Sequence, residues 1–160
     1  MKETAELSET LEDYLETILN LEDVQKVARA KDIAENMGVQ RGSVTSALKS
    51  LKEKGLINYE PYSFVTLTPK GIKRATKITH RHDVIKDFLL TILQIDEETA
   101  DSTACRMEHA IDEKTLQRLV CFIEYFSMCP RTGEKWKKSF VHYCASGKWD
   151  PKQCKRCIED

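Results

Sequence analysis

Apolar residues recur at helical spacing through most of this chain, and the breaks between them divide it into short elements. Leu7, Leu11, Leu15 and Ile18 share one side of a turn-by-turn pattern, while Glu9, Glu12, Asp13 and Glu16 occupy other faces, which predicts an amphipathic helix over 9–23. After an exposed stretch, 23–29, a second pattern over 30–37 puts Ile33, Ala34 and Met37 on one side and stops at Gly38, a residue suited to a left-handed C-terminal position. A third, over 43–54, carries a stripe of Val44, Leu48 and Leu51 and ends at Gly55. The period then changes: Ile57, Tyr59, Val65 and Leu67 fall in two short β-prone runs around Pro61-Tyr62-Ser63, the pattern of a small hairpin. Thr68 caps a long helix with Pro69 at its first position, continued by Ile72, Ala75, Ile78, Ile85, Phe88, Leu89 and Leu93. Two further helical patterns cover 97–110, opened by Thr99 or Asp101, and 113–126, capped by Asp112.

Two short helices separated by a Gly-containing turn form a helix-turn-helix, and a hairpin directly after the second helix forms a wing. The expected fold is therefore mainly α: a winged helix-turn-helix DNA-binding domain over 1–75, a helical dimerisation and metal-binding domain over 76–128, and a short Cys-rich element over 129–160. The stripe Leu116, Leu119, Val120 and Ile123 is the expected dimer face.

Charge sharpens this division. The formal net charge of −1 conceals a start, 1–25, with one Lys against eight acids, and a block, 26–81, with twelve Lys and Arg against four acids. Residues 82–128 return to −6 and 129–160 sum to +4. A basic block between acidic ones fits a polyanion-binding module tied to a module with another task. No run approaches the roughly 20 apolar residues that span a bilayer, and the acidic start lacks the pattern of a signal peptide, so a cytoplasmic protein without a membrane partner is expected. With a hydrophobic content of 41%, 160 residues are enough for one medium or two small cores.

If 43–54 is the recognition helix, its first turns must offer polar side chains to the major groove, and the sequence supplies Gln40, Arg41, Ser43, Thr45, Ser46 and Lys49 there. Arg pairs bidentately with guanine, whereas Ser and Thr read bases weakly or hold phosphate. Lys31, Lys52 and Lys54, with Tyr62 or Ser63 in the wing, are the expected backbone contacts.

Candidate metal ligands are spread over three helical segments. Asp13 and Glu16 are three residues apart and share a face; Cys105, Glu108 and His109, at i, i+3 and i+4, put thiolate, carboxylate and imidazole on another; His82 lies on the helix between them. Mixed carboxylate and imidazole with one thiolate suits Fe(II) better than Mg(II) or Ca(II), while Mn(II) prefers harder oxygen ligands. A His/Glu/Cys site with an open position also serves enzymes, but no second catalytic constellation accompanies it, and a non-enzyme is expected.

An ordered set of motifs carries a resemblance over roughly 9–126. Asp13-x-x-Glu16, Lys-Asp-Ile-Ala-Glu at 31–35, Ser-Val-Thr at 43–45, Lys-Gly-Leu at 54–56, Leu-Thr-Pro-Lys-Gly at 67–71, Arg-His at 81–82 and Ala-Cys-Arg-Met-Glu-His at 104–109 resemble the DtxR/MntR family of iron- and manganese-dependent repressors. The resemblance implies a homodimer that binds palindromic operator DNA when loaded with Fe(II) or Mn(II), with ligands at Asp13, Glu16, His82, Cys105, Glu108 and His109. Iron-type members resemble this chain at Cys105 but tend to have Met at the place of Asp13; manganese-type members share the Asp and tend to have Glu at the place of Cys105. Lys86 and Asp101 stand where iron-type members carry further ligands, and the SH3-like third domain of the longer members is not expected in these 160 residues. The rival reading is a metal-independent winged-helix regulator.

The remaining motif lies outside the resemblance. Cys129, Cys144, Cys154 and Cys157 cluster near the end, with Pro130, Gly133, Gly147 and Pro151 as turn formers between them. Four thiolates including a Cys-x-x-Cys pair suit structural Zn(II), the same four hold an iron–sulfur cluster that would act as a redox or iron sensor, and two disulfides or a merely reactive Cys-x-x-Cys pair are the other readings.

Overall fold

The computed structural model describes residues 7–61 and 63–148, and the chain divides at His80/Arg81 into two compact units. In the first, α1 (Glu9–Gln25), α2 (Ala30–Met37) and α3 (Arg41–Glu53) precede a two-stranded antiparallel hairpin, β1 (Ile57–Asn58) and β2 (Thr66–Leu67), and the start of α4 (Pro69–Asp87). Ile57 pairs with Leu67 and Asn58 with Thr66. Ala28 and Val65 extend the sheet by one bridge, each amide donating to the other's carbonyl at 3.3 and 2.8 Å.

The stripes read from the sequence face one core. Leu15 and Ile18 of α1, Ile33 of α2, Val44, Leu48 and Leu51 of α3, and Ile57, Val65 and Leu67 of the hairpin are all buried in a single cluster. Burying a side chain of this size stabilises by about 1.5–3 kcal/mol, which holds strands of only two residues in place. Turn chemistry sets the joints. Gly38, at φ 65°, ends α2 in the left-handed conformation. Thr68 Oγ1 accepts from the Gly71 amide at 3.1 Å and donates to the Gly55 carbonyl at 2.8 Å, capping α4 and tying it to the end of α3. Gly71 lies so close to Leu56 that a Cβ there would be 1.9 Å from the Leu56 carbonyl oxygen, which accounts for the glycine in Leu-Thr-Pro-Lys-Gly.

The second unit holds the end of α4, a π-helical turn at Phe88–Ile92, α5 (Glu97–Met107), α6 (Glu113–Met128), a 3-10 turn at Pro130–Thr132 and α7 (Glu134–Ser146). Ile85, Leu89, Ala100 and Ala104 form its buried cluster, with Phe88, Leu93, Ile111 and Leu119 packed around it. α5 begins at Asp96, whose carboxylate accepts from the Thr99 amide at 2.9 Å, rather than at the expected Thr99 or Asp101. Asp112 caps α6 as expected, accepting from the amides of Lys114 and Thr115 at 2.9 and 3.0 Å. Those bonds hold both capping carboxyls below the ordinary aspartate range, Thr99 being the first cause for Asp96 and Thr115 for Asp112. Of the expected dimer stripe, Leu116 is buried within the unit, Leu119 leans on its core and Val120 and Ile123 are half-buried, whereas three α6 residues outside that stripe, Phe122, Tyr125 and Met128, are exposed. α7 was not foreseen; Trp136 stacks on Phe140 at 5.3 Å and meets Phe126 edge-on at 4.9 Å. Among the described residues no helix is long and apolar enough to cross a membrane.

Candidate metal centre and nucleic-acid interface

α3 buries Val44, Ala47, Leu48 and Leu51, so the opposite side of its first turns faces outward. Gln40, its N-terminal flanking residue, and Arg41, Ser43, Ser46 and Lys49 are exposed, and Thr45 is half-buried. The Thr45 hydroxyl donates to the Arg41 carbonyl at 3.0 Å and the Ser46 hydroxyl to the Gly42 carbonyl at 3.2 Å. Their protons are thus spent within the helix, and both oxygens remain acceptors. Lys31, exposed on α2, pairs with Glu35 one turn later at 3.6 Å. Lys52 pairs with Glu60 at 2.6 Å. Tyr62 lies outside the described residues. A wing contact the sequence reading missed is Arg29, whose guanidinium sits 5.2 Å from the centre of the exposed Phe64 ring. Away from Arg41, at the other end of α3, Lys54, Lys70, Lys73, Arg74 and Lys77 line a cavity of about 290 Å³ with Leu7 and Leu56.

The candidate ligands of the first unit are Asp13 and Glu16, both half-buried on α1. Beside them Glu12, only 4% exposed, is matched by an ion pair with Arg74 of α4. A buried carboxylate needs such a partner, since leaving it alone costs several kcal/mol. The pair was invisible in the sequence because its members are 62 positions apart.

In the second unit, three predicted ligands meet. Glu108, 0% exposed, closes the C-terminal end of α5. One of its oxygens, Oε2, lies 2.8 Å from His82 Nδ1, and the other, Oε1, lies 3.4 Å from His109 Nε2. His82 comes from α4, so the carboxylate joins imidazoles from two segments. The far nitrogen of His82, Nε2, is 3.4 Å from Asp101 Oδ1, and that oxygen accepts from Lys86 Nζ at 2.6 Å. The Lys86 ammonium, bonded to Asp101, holds that carboxyl below the usual aspartate range, with His82 a smaller contributor. Cys105 is exposed on α5, three residues before Glu108. Two imidazoles about one buried carboxylate fit a divalent first-row transition ion better than Mg(II) or Ca(II), whose shells are built from oxygens. Of the C-terminal thiols, Cys129 is half-buried at the end of α6 and Cys144 is exposed on α7, while Cys154 and Cys157 lie outside the described residues.

Comparison with known proteins agrees with both halves of this picture. Residues 6–65 match the N-terminal DNA-binding domain of iron-dependent repressors, and 68–137 match their metal-binding and dimerisation domain. An HTH-type transcriptional regulator of Methanocaldococcus jannaschii is 40% identical over 121 residues, covering 75% of this chain and 97% of that protein. The HTH-type transcriptional regulator MntR of Bacillus subtilis is 32% identical over 117 residues, covering 73% and 82%. The solved structure of the manganese regulator SloR superposes with a TM-score of 0.65 at 29% identity, over 76% of this chain but only 56% of that one. The chain therefore belongs to the DtxR/MntR family of metal-dependent transcriptional repressors, which are homodimeric DNA-binding regulators and not enzymes.

Proposed function

We propose that this protein is a sensor of Fe(II) or Mn(II) that binds operator DNA when loaded and represses metal-uptake genes. The observation that carries the reading is Glu108, fully buried with an imidazole at each of its oxygens. Asp13 and Glu16 are proposed to complete the shell from the first unit, as the family resemblance implies, with Cys105 as the softest donor; that thiolate favours Fe(II). An ion held by ligands from both units fixes their relative orientation, and a ligand that binds one arrangement better shifts the population toward it. The same resemblance supports a cytoplasmic homodimer divided into a DNA-binding part over 1–75, a dimerisation and metal part over 76–128, and the element 129–160. Arg41 reads bases, with Gln40, Ser43, Thr45, Ser46 and Lys49 beside it, while Lys31 and Tyr62 hold the backbone. For the last element we propose Zn(II) held by Cys129, Cys144, Cys154 and Cys157, with an iron–sulfur cluster as the alternative occupant. Metal analysis of anaerobically purified protein distinguishes these: one Zn per chain lost in Cys154→Ser supports the first, visible absorbance the second, and neither metal removes both.

Titration of the full chain with Mn(II), followed by the loss of free-ion paramagnetic signal, tests the sensor site. Wild-type protein takes up the ion, and Glu108→Gln, which keeps the shape and loses the charge, releases it. Uptake by Glu108→Gln equal to wild type would remove this residue set as the sensor site.

A further inference from the structure

His82 is the ring whose two nitrogens face opposite carboxylates: Nδ1 is 2.8 Å from Glu108 Oε2, and Nε2 is 3.4 Å from Asp101 Oδ1. We infer that Asp101, itself held by Lys86, is a positioning residue that fixes the His82 ring and its tautomer so that Nδ1 is the nitrogen offered to the ion. This rests on the reading of His82 as a ligand and extends it to two residues outside the ligand set proposed for this chain.

The argument is one of valence. A neutral imidazole carries one N–H and one lone pair, and a metal-bound ring must direct its remaining N–H at an acceptor. The 2.8 Å contact lets Nδ1–H donate to Glu108; an ion bound at Nδ1 would replace that hydrogen, and the ring's one N–H would then lie at Nε2, where Asp101 is the acceptor. A carboxylate performs this task only if it stays in place and ionised, and the aspartate is 54% exposed in its side chain, with freedom to turn away into water. Lys86 removes that freedom. Its ammonium donates to the same Oδ1 at 2.6 Å, and a second acid, Glu97, lies 3.7 Å from the ammonium. Lysine is charged at neutral pH in any case, and the Asp101 bond, reinforced by Glu97, raises the Lys86 pKa further. The 3.4 Å spacing to Nε2 is long for a hydrogen bond, as such contacts are before the bound complex tightens them.

Carboxylate partners of metal-binding histidines typically contribute roughly 10–100-fold to affinity. Competition with a chromophoric chelator for Mn(II) and Zn(II) therefore tests the inference. Asp101→Ala should bind roughly 10–100-fold more weakly, Asp101→Asn, which retains an oxygen acceptor, should recover part of that loss, and Lys86→Met should weaken binding less than Asp101→Ala. A second readout is independent of affinity: nitrogen-15 spectra of the Zn(II)-loaded wild type should show the His82 ring protonated at Nε2 and metal-shifted at Nδ1. A ring protonated at Nδ1 overturns the inference, as does Asp101→Ala binding with wild-type affinity. His82→Ala separates the two levels: if it leaves affinity unchanged, the ligand reading itself fails, whereas a large loss there beside an unaffected Asp101→Ala sinks only the positioning role. Should Asp101→Ala not fold, Asp101→Asn and the wild-type spectrum decide alone.

Discussion

The two units solve the problem of burial in opposite ways. The first gathers seventeen buried residues into one cluster drawn from three helices, a hairpin and the start of α4. The second buries four in its cluster, two of them alanines, and leaves Phe122, Tyr125, Met128, Val141 and Tyr143 exposed. Among its described residues the most completely enclosed polar side chain, Glu108, sits in the candidate metal centre instead of an apolar core. A reading module must hold its recognition helix rigidly whatever the metal status, and a self-sufficient core does that. A sensing and dimerising module draws its order from a second copy and from the ion, so an apolar surface left over in one chain is what a homodimer requires.

Core truncation probes this contrast most strongly. Leu48→Ala, at a fully buried position in α3, should cost about 2–5 kcal/mol, and the loss should be the same at every protein concentration. Leu89→Ala, in the thinner core, should fall toward the lower end of that range and depend on concentration, because surroundings with fewer neighbours relax more easily. Thermal melts over a hundredfold dilution series check both. Gly71→Ala comes next: the added Cβ must displace backbone at Leu56, at a cost of about 1–3 kcal/mol, read as a lower denaturation midpoint of the first unit with Mn(II) uptake retained.

A smaller effect is expected at the surface of α6. Tyr125→Glu should weaken the dimer by about tenfold or more, or 1.4 kcal/mol, in sedimentation equilibrium, while Leu48 and its neighbours stay protected from hydrogen exchange. A dimer of unchanged strength would place the interface elsewhere. The smallest effect is the acid response of the Asp101–Lys86 clasp. Because Lys86 depresses the Asp101 pKa in the folded protein, the pair contributes at neutral pH, and its contribution is lost only as pH falls below the ordinary aspartate range. Lys86→Met should remove that part of the acid dependence and leave the rest of the stability profile intact.

What the sequence made legible follows from range. Periodicity and punctuation act over a few residues, and α2 ends at Gly38 and α4 opens at Thr68 and Pro69 as read. The three candidate ligands that meet in the second unit were legible as a group for a similar reason: Glu108 and His109 are adjacent, and His82 stood out as an imidazole on the linking helix. Interactions closed by tertiary structure were not. The Glu12–Arg74 pair and the Lys86–Asp101 clasp join charges 62 and 15 positions apart, where nothing in the spacing marks a partner. α7 escaped for another reason: Pro130, Gly133 and Gly147 read as loop formers among cysteines, yet Gly133 and Gly147 flank its two ends, and Trp136 and Phe140 keep helical spacing between them. Thr99 and Asp101 were read as openings of α5 because each precedes an acceptable helical run, and only the bond from the Thr99 amide marks Asp96 as the cap.

Metal-controlled DNA binding is the centre of this account, and it is tested by one titration. Full-length protein is mixed with a duplex that it selects from a random pool, once with Fe(II) or Mn(II) under anaerobic conditions and once after thorough chelation. Affinity rising by roughly tenfold or more with metal, a differential of about 1.4 kcal/mol, is the expected result. Equal affinity in the two states would contradict it and leave a winged-helix regulator indifferent to metal.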